Sequence, residues 1–239
     1  MKLIKNGINL SQNKIIYRSN VLSKIIHKGT VIYETGAAPY FPRSPIHVGV
    51  IGDSTIAAGY GGLLVPQYIT AFSPITSVAA AGDTIKGQMT KYSALTNTMD
   101  FDVVVIQIGL NDMASNQTTE TVLTNYQNLV SLVRSNTNPR CKVYVAKMLP
   151  CRQRFIDYYG ATAGLVSQQR WLDLNNFIMN AVTGVDGRID SHVPLLDDGN
   201  GNLKLEYDTG DHIHENVAGR QIIANAWRDK LIADQILSV

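Results

Sequence analysis

The sequence contains no long apolar run. None of its hydrophobic stretches approaches the ~20 residues that a helix needs to cross a bilayer, so no membrane span is expected. It also has little excess charge: 21 Lys and Arg against 19 Asp and Glu leave a formal net charge of +2. The cations are scattered, with no basic block and no basic stripe interleaved with aromatics, which argues against a nucleic-acid partner. The opening residues MKLIKNGINLSQNK lack the apolar h-region of a secretory signal. The expectation is cytoplasmic synthesis, or a signal that is not part of this chain. Cysteine is scarce. Cys141 and Cys151 bracket KVYVAKMLP. If that segment is extended, its ends lie ~30 Å apart at ~3.3 Å per residue, which leaves two lone thiols rather than a disulfide. What is present is 239 residues with 45% hydrophobic content and a mean hydropathy of −0.02. That describes a globular protein with a sizeable core.

The chain divides by texture. Residues 1–44 carry short β-branched runs and turn signals without helical period. Lys14-Ile15-Ile16-Tyr17-Arg18-Ser19-Asn20-Val21-Leu22 matches Lys24-Ile25-Ile26-His27-Lys28-Gly29-Thr30-Val31-Ile32 at an offset of ten. Turns at Arg18-Ser19-Asn20 and Lys28-Gly29-Thr30 suit a small β meander, followed by a proline-punctuated linker. Residues 45–239 alternate strand and helix. The expected strands are His47–Ile51, Ile75–Ala80, Asp102–Ile108 and Lys142–Leu149. Apolar stripes at three- and four-residue spacing predict core-facing helices. They are Leu123, Tyr126, Leu129, Val130 and Val133; Trp171, Leu174, Phe177, Ile178 and Ala181; and Ile223, Trp227 and Leu231. Such alternation implies a parallel sheet between helices, with a site at the carboxyl ends of its strands.

Three strand ends and one loop carry candidate chemistry. The first strand ends in Gly52-Asp53-Ser54, and Ser54 is expected at the start of a helix, either as its N-cap or as a nucleophile. The second ends in Ala81-Gly82-Asp83-Thr84. Gly82 is either a turn residue or a backbone donor to the same pocket, and Asp83 or Thr84 would cap the next helix. The third ends in Gly109-Leu110-Asn111-Asp112, where Asn111 is either a turn former or an uncharged side-chain donor to an oxyanion. The loop Asp211-His212-Ile213-His214 precedes the last helix. There His214 could act as general base with Asp211 on its other ring nitrogen. Asp197-Asp198-Gly199-Asn200-Gly201-Asn202 lacks the glutamate that an EF-hand needs at its twelfth position, and reads as a turn. His212 and His214 without a further cluster make a weak metal pair.

Together these residues resemble the SGNH hydrolase superfamily, the GDSL esterases and lipases, over residues ~46 to ~237. The resemblance implies an α/β fold: a flavodoxin-like three-layer α/β/α sandwich with a parallel sheet of about five strands, here with a small N-terminal β segment added. It also implies a serine esterase that needs no cofactor and no metal. Ser54 would be the nucleophile, with Asp211 and His214 completing the triad. The Ser54 and Gly82 N–H groups and the Asn111 amide would form the oxyanion hole. Two positions depart from the pattern: Thr55 follows the serine, and Glu215 follows the histidine, where it would place an extra carboxylate beside the site. The expected substrate is a short acyl ester, above all O-acetyl on carbohydrate, with a lipase or thioesterase on longer chains as the alternative. Residues 1–36 are also similar to short β segments of phage and prophage tail-associated proteins. That implies virion attachment through residues 1–44, or a homo-oligomer contact there, and keeps open a non-catalytic carbohydrate-binding or virion module.

Overall fold

The computed structural model describes residues 45–113 and 117–238, together with strand backbone between residues 3 and 34. The chain forms two units, residues 1–41 and 42–239.

The first unit contains a three-stranded antiparallel sheet of β1 (Leu3–Lys5), β2 (Ile8–Ser11) and β3 (Lys14–Ile16). It also contains a hairpin of β4 (Lys24–His27) and β5 (Thr30–Glu34). His27 pairs with Thr30 at the closed end of the hairpin; Lys28 and Gly29 of the turn expected there lie outside the described residues. The other expected turn, Arg18-Ser19-Asn20, lies outside the described residues, as does the linker before Pro45.

The second unit is built on β6 (Ile46–Gly52), β7 (Phe72–Ser77), β8 (Val103–Gln107), β9 (Lys142–Ala146) and β10 (Gly187–Ile189). Their order is β10-β9-β8-β6-β7, and every pairing is parallel. The helices are α1 (Ile85–Ser93), α2 (Leu110–Met113), α3 (Thr119–Asn136), α4 (Arg152–Asn180), α5 (Val193–Leu196) and α6 (Val217–Ala233). Strand side chains alternate between two buried faces. Val104, Ile106, Val143 and Val145 join one core cluster with Ile85 of α1, Leu129 and Val133 of α3, and Leu174 and Ile178 of α4. Val103, Val105 and Tyr144 lie outside that cluster, and α6 buries Ile223, Trp227 and Leu231. The Tyr144 hydroxyl meets Asp234, just after α6, at 2.7 Å. Helices therefore cover both faces of a five-stranded parallel sheet.

Strand boundaries shift by a few residues. The second strand begins and ends earlier than expected, because Val78 and Ala80 leave the strand yet still donate to Val50 and Gly52 of β6, at 3.0 and 3.2 Å. β10 was not expected, since three residues carry no readable period. α4 is longer than its apolar stripe suggests and is interrupted at Gly160, where φ is +77°. Ala181, expected on its buried stripe, is an exposed C-cap. Both cysteines are buried and free.

The topology selects one place. From β6 the chain moves to β7 on one side, and then crosses to β8 on the other. The carboxyl end of β6 is thus the switch point where an open parallel sheet leaves a crevice. Ser54 emerges there.

Candidate active site

Ser54 does not start a helix. One turn forms, in which Asp53 O accepts the N–H groups of Ile56 and Ala57 at 3.3 and 3.0 Å. Ala58-Gly59-Tyr60-Gly61-Gly62 then folds into a tight hairpin, with Gly59 and Gly62 exchanging backbone hydrogen bonds of 2.9 and 2.8 Å. Three glycines in four residues would each cost a helix about 1 kcal/mol. The capping role falls to Asp53, whose Oδ1 accepts from Thr55 N–H at 3.0 Å and from Thr55 Oγ1 at 2.8 Å. Thr55 therefore holds Asp53, and Ser54 Oγ is left for another partner.

That partner is His214: Nε2 stands 2.8 Å from Ser54 Oγ. On the other side of the ring, Nδ1 lies 2.5 Å from Asp211 Oδ2. Asp211 Oδ1 accepts the N–H groups of Ile213 and His214 at 3.2 and 2.9 Å, so the loop curls around its own carboxylate. Burial works to raise the Asp211 carboxyl, but the His214 ring and these N–H donors outweigh it and hold it below the usual carboxylate value. Asp211 is thus an anion at neutral pH, placed to fix the imidazole tautomer and to balance an imidazolium. The arrangement can pass the Ser54 proton to His214. Ser54 and His214 are 5% and 7% exposed, so only a small reactive surface faces water.

The other strand ends are laced to this one. Asn111 Nδ2 donates to Asp83 O at 2.8 Å, tying the end of β8 to the Gly82-Asp83 turn and leaving its second N–H for another acceptor. Gly82 has a φ of +72° and open space where a Cβ would stand, so its backbone turns without a side chain in the way. Thr84, not Asp83, caps α1 by accepting from Gly87 N–H at 3.2 Å. Asp53 is buried, which pushes its carboxyl up against the pull of Thr55 and of the Leu110 and Gly109 backbone. Asp112 Oδ2 accepts Ile85 N–H at 3.0 Å, and burial raises its pKa to about 6. Ser54, His214 and Asp211 are in contact, and Gly82 and Asn111 adjoin through Asp83.

Three residues that the sequence reading did not single out complete the surroundings. Asp208 Oδ1 accepts the N–H groups of Gly210, Asp211 and His212 at 2.8, 3.2 and 3.1 Å, anchoring the loop that carries Asp211. Its Asp-x-Gly spacing was a legible turn signal. Arg220 of α6 donates to the carbonyls of Ala57, Leu63 and Ser54 at 2.5, 2.7 and 3.3 Å. Tyr60 lies flat on the His214 ring, with centroids 3.8 Å apart and planes inclined by 6°. For the last two the sequence held no signal, since their partners are backbone or distant in the chain. Glu215 does place a carboxylate near Asp53 and Asp211, but it is fully buried against Arg220, with Oε1 3.3 Å from Nε. Burial pushes its carboxyl up, opposed by Arg220.

Asp197-Gly201 is a turn, with Asp197 Oδ1 accepting from Gly199 and Gly201 at 2.7 and 3.0 Å. Among the described residues no group of three or more His, Cys, Asp or Glu could hold a metal ion. No helix of the described residues is long and apolar enough to cross a membrane.

Comparisons with known proteins bear on the fold and the family. Curated protein sequences give no match. Several solved structures share the fold at low identity. A GDSL-like lipase of Bacteroides thetaiotaomicron has a TM-score of 0.60 at 14% identity, covering 80% of this chain and 89% of that one. A lipase/acylhydrolase of Enterococcus faecalis has a TM-score of 0.59 at 18% identity, covering 79% and 96%. An acetyl esterase variant with acetate ion has a TM-score of 0.54 at 17% identity, covering 80% and 98%. The sequence model of the GDSL-like Lipase/Acylhydrolase family matches residues 50–222, a span that includes Ser54, Gly82, Asn111, Asp211 and His214. The chain belongs to the GDSL-like lipase/acylhydrolase family and is a serine ester hydrolase.

Proposed function

We propose that the protein removes short acyl groups, above all acetyl, from esters of carbohydrate hydroxyls. Ser54 Oγ attacks the ester carbonyl carbon while His214 Nε2 takes its proton. The Ser54 and Gly82 N–H groups and the free N–H of Asn111 receive the oxyanion. Collapse of the tetrahedral intermediate expels the alcohol, which takes the proton back from His214, and leaves an acyl-Ser54. Water, deprotonated by His214, then releases the acid and restores the serine. The observation that carries the hydrolase reading is the relay Ser54–His214–Asp211, at 2.8 and 2.5 Å. An intact relay disfavours a spent, purely binding module.

Two features support a small acyl group on a sugar. The reacting atoms are nearly enclosed, which suits an acetyl better than a long chain, and a fold relative is an acetyl esterase with acetate ion. Tyr60 is 62% exposed and offers its outer face as a flat platform of the kind that pyranose rings stack on. One observation favours a lipase or thioesterase on longer chains: the exposed side chains of Leu63 and Val217 flank the same hairpin.

Rates on p-nitrophenyl esters of increasing chain length, and acetate released from acetylated polysaccharides, separate the two. The proposal expects the highest kcat/KM on acetate and measurable acetate release. Preference for octanoyl or longer esters, with no acetate released, overturns it. For residues 1–44, attachment to a virion or to a second copy is tested by deletion. Retained turnover with lost assembly is expected, and unchanged assembly refutes that role.

A further inference from the structure

We propose that Tyr60 is a positioning residue for the reaction: its ring fixes the plane of the His214 imidazole and stabilises the imidazolium formed when Ser54 gives up its proton. The proposal rests on the reading of Ser54, His214 and Asp211 as the reacting groups.

The geometry of the stack points to a cation. The rings lie almost parallel, with centroids 3.8 Å apart. Two neutral aromatic rings avoid this face-to-face arrangement and prefer offset or edge-to-face contact at ~4.5–7 Å. A positive charge over a π face is attracted by the ring quadrupole. The contact therefore gains most when His214 is charged, which is the state that differs between the resting enzyme and the transition state.

Neither burial nor backbone preference explains why Tyr60 sits there. Its side chain is 62% exposed, and its φ of +34° lies in the left-handed region that bulky residues avoid. The hairpin imposes the position. Gly61 approaches the Glu215 carbonyl so closely that a Cβ would stand 1.8 Å from its oxygen, so only glycine allows the contact. Leu63 N–H donates to the Tyr68 hydroxyl at 3.2 Å, anchoring the far end of the hairpin. The hairpin is thus seated on the residue next to His214, and the two rings are held in one frame. With Asp211 on Nδ1, Ser54 on Nε2 and Tyr60 on one face, the imidazole has little freedom to swing out.

The titratable and charged groups on the surrounding elements are Asp211, the Asp208–His212 pair on the same loop, the Glu215–Arg220 pair between loop and α6, and Asp53 beside Ser54. Tyr60 is a member of none of these pairs. Its effect on the acid limb of the rate profile therefore reads the ring itself.

The test is kcat/KM for p-nitrophenyl acetate across the acid and neutral range in Tyr60→Phe, Tyr60→Leu and Tyr60→Trp, each normalised to active sites by fluorophosphonate titration. Tyr60→Leu is expected to lose about fivefold in kcat with KM little changed. Its acid limb moves to lower pH, because without the π face the imidazole gives up its proton more readily. Tyr60→Phe keeps both rate and limb. Tyr60→Trp, whose π face is stronger, moves the limb to higher pH and serves if Tyr60→Leu fails to fold. The proposal is overturned by an unmoved limb in Tyr60→Leu or Tyr60→Trp, by an unchanged rate in Tyr60→Leu, or by Tyr60→Phe behaving as Tyr60→Leu. Turnover by Ser54→Ala overturns instead the assignment of the reacting groups beneath it.

Discussion

Replacing Arg220 by methionine should unfold much of what holds Ser54 in place, and the structure indicates by how much. Arg220 and Glu215 are both completely buried, 3.3 Å apart, and Arg220 also donates to the carbonyls of Ser54, Ala57 and Leu63. Methionine keeps most of the packed stem but strands the Glu215 carboxyl and three carbonyl oxygens. Removing one partner of a buried pair costs about 3–5 kcal/mol, a large share of the roughly 5–15 kcal/mol that holds a domain together. In Arg220→Met/Glu215→Leu the stranded charge is gone as well, and buried pairs replaced by apolar residues are often near neutral. The double variant should therefore recover about 2 kcal/mol of the loss in Arg220→Met, while the three carbonyl oxygens that still lack a donor keep it below the native protein. Urea unfolding followed by the fluorescence of buried Trp227 measures all four corners of the cycle. The activity of the double variant should stay about tenfold low, because no donor then holds the Ser54 carbonyl. A loss below about 1 kcal/mol in Arg220→Met, or single losses that simply add in the double variant, would refute the reasoning.

On the proposed oxyanion role of Asn111, Asn111→Ala should lower kcat by about 10²–10³ with little change in KM, measured by steady-state kinetics. Asp208→Ala frees three N–H groups of the loop before His214. The thermal midpoint should fall, at about 2 kcal/mol lost, together with kcat. Asp112 has its pKa raised to about 6 by burial, so the folded state holds a proton that the unfolded chain releases near its ordinary 3.8. Stability should therefore fall as pH rises from about 4 to 6, by up to about 3 kcal/mol, and Asp112→Asn should flatten that slope in pH-dependent denaturation.

What the sequence made legible follows the range of the interactions. The central strand runs, most of the three helical stripes and the Asp211-x-x-His214 spacing are local and stand where their period or spacing places them, while the second strand is shifted and Ala181 is exposed. The wrong expectation at Ser54 came from reading a small-residue stretch as helix, when the glycines at 59, 61 and 62 serve a hairpin that must pass close to Glu215. The burial of Glu215 was not legible for a related reason. Its counter-charge, Arg220, is five residues on, and nothing in the spacing reveals that both turn into the interior. Tyr60 had no signal, because its partner is more than 150 residues away in the chain. β10 is too short to carry a pattern, and its place beside β9 is set by tertiary pairing.

The central claim is that Ser54 is the nucleophile activated by His214 and Asp211. Mass spectrometry of the protein after brief reaction with a fluorophosphonate tests it most directly. The account predicts a single adduct on the Ser54 peptide, formed much more slowly in His214→Ala and absent in Ser54→Ala together with all ester turnover. An adduct on another residue, or turnover that persists in Ser54→Ala, would contradict it.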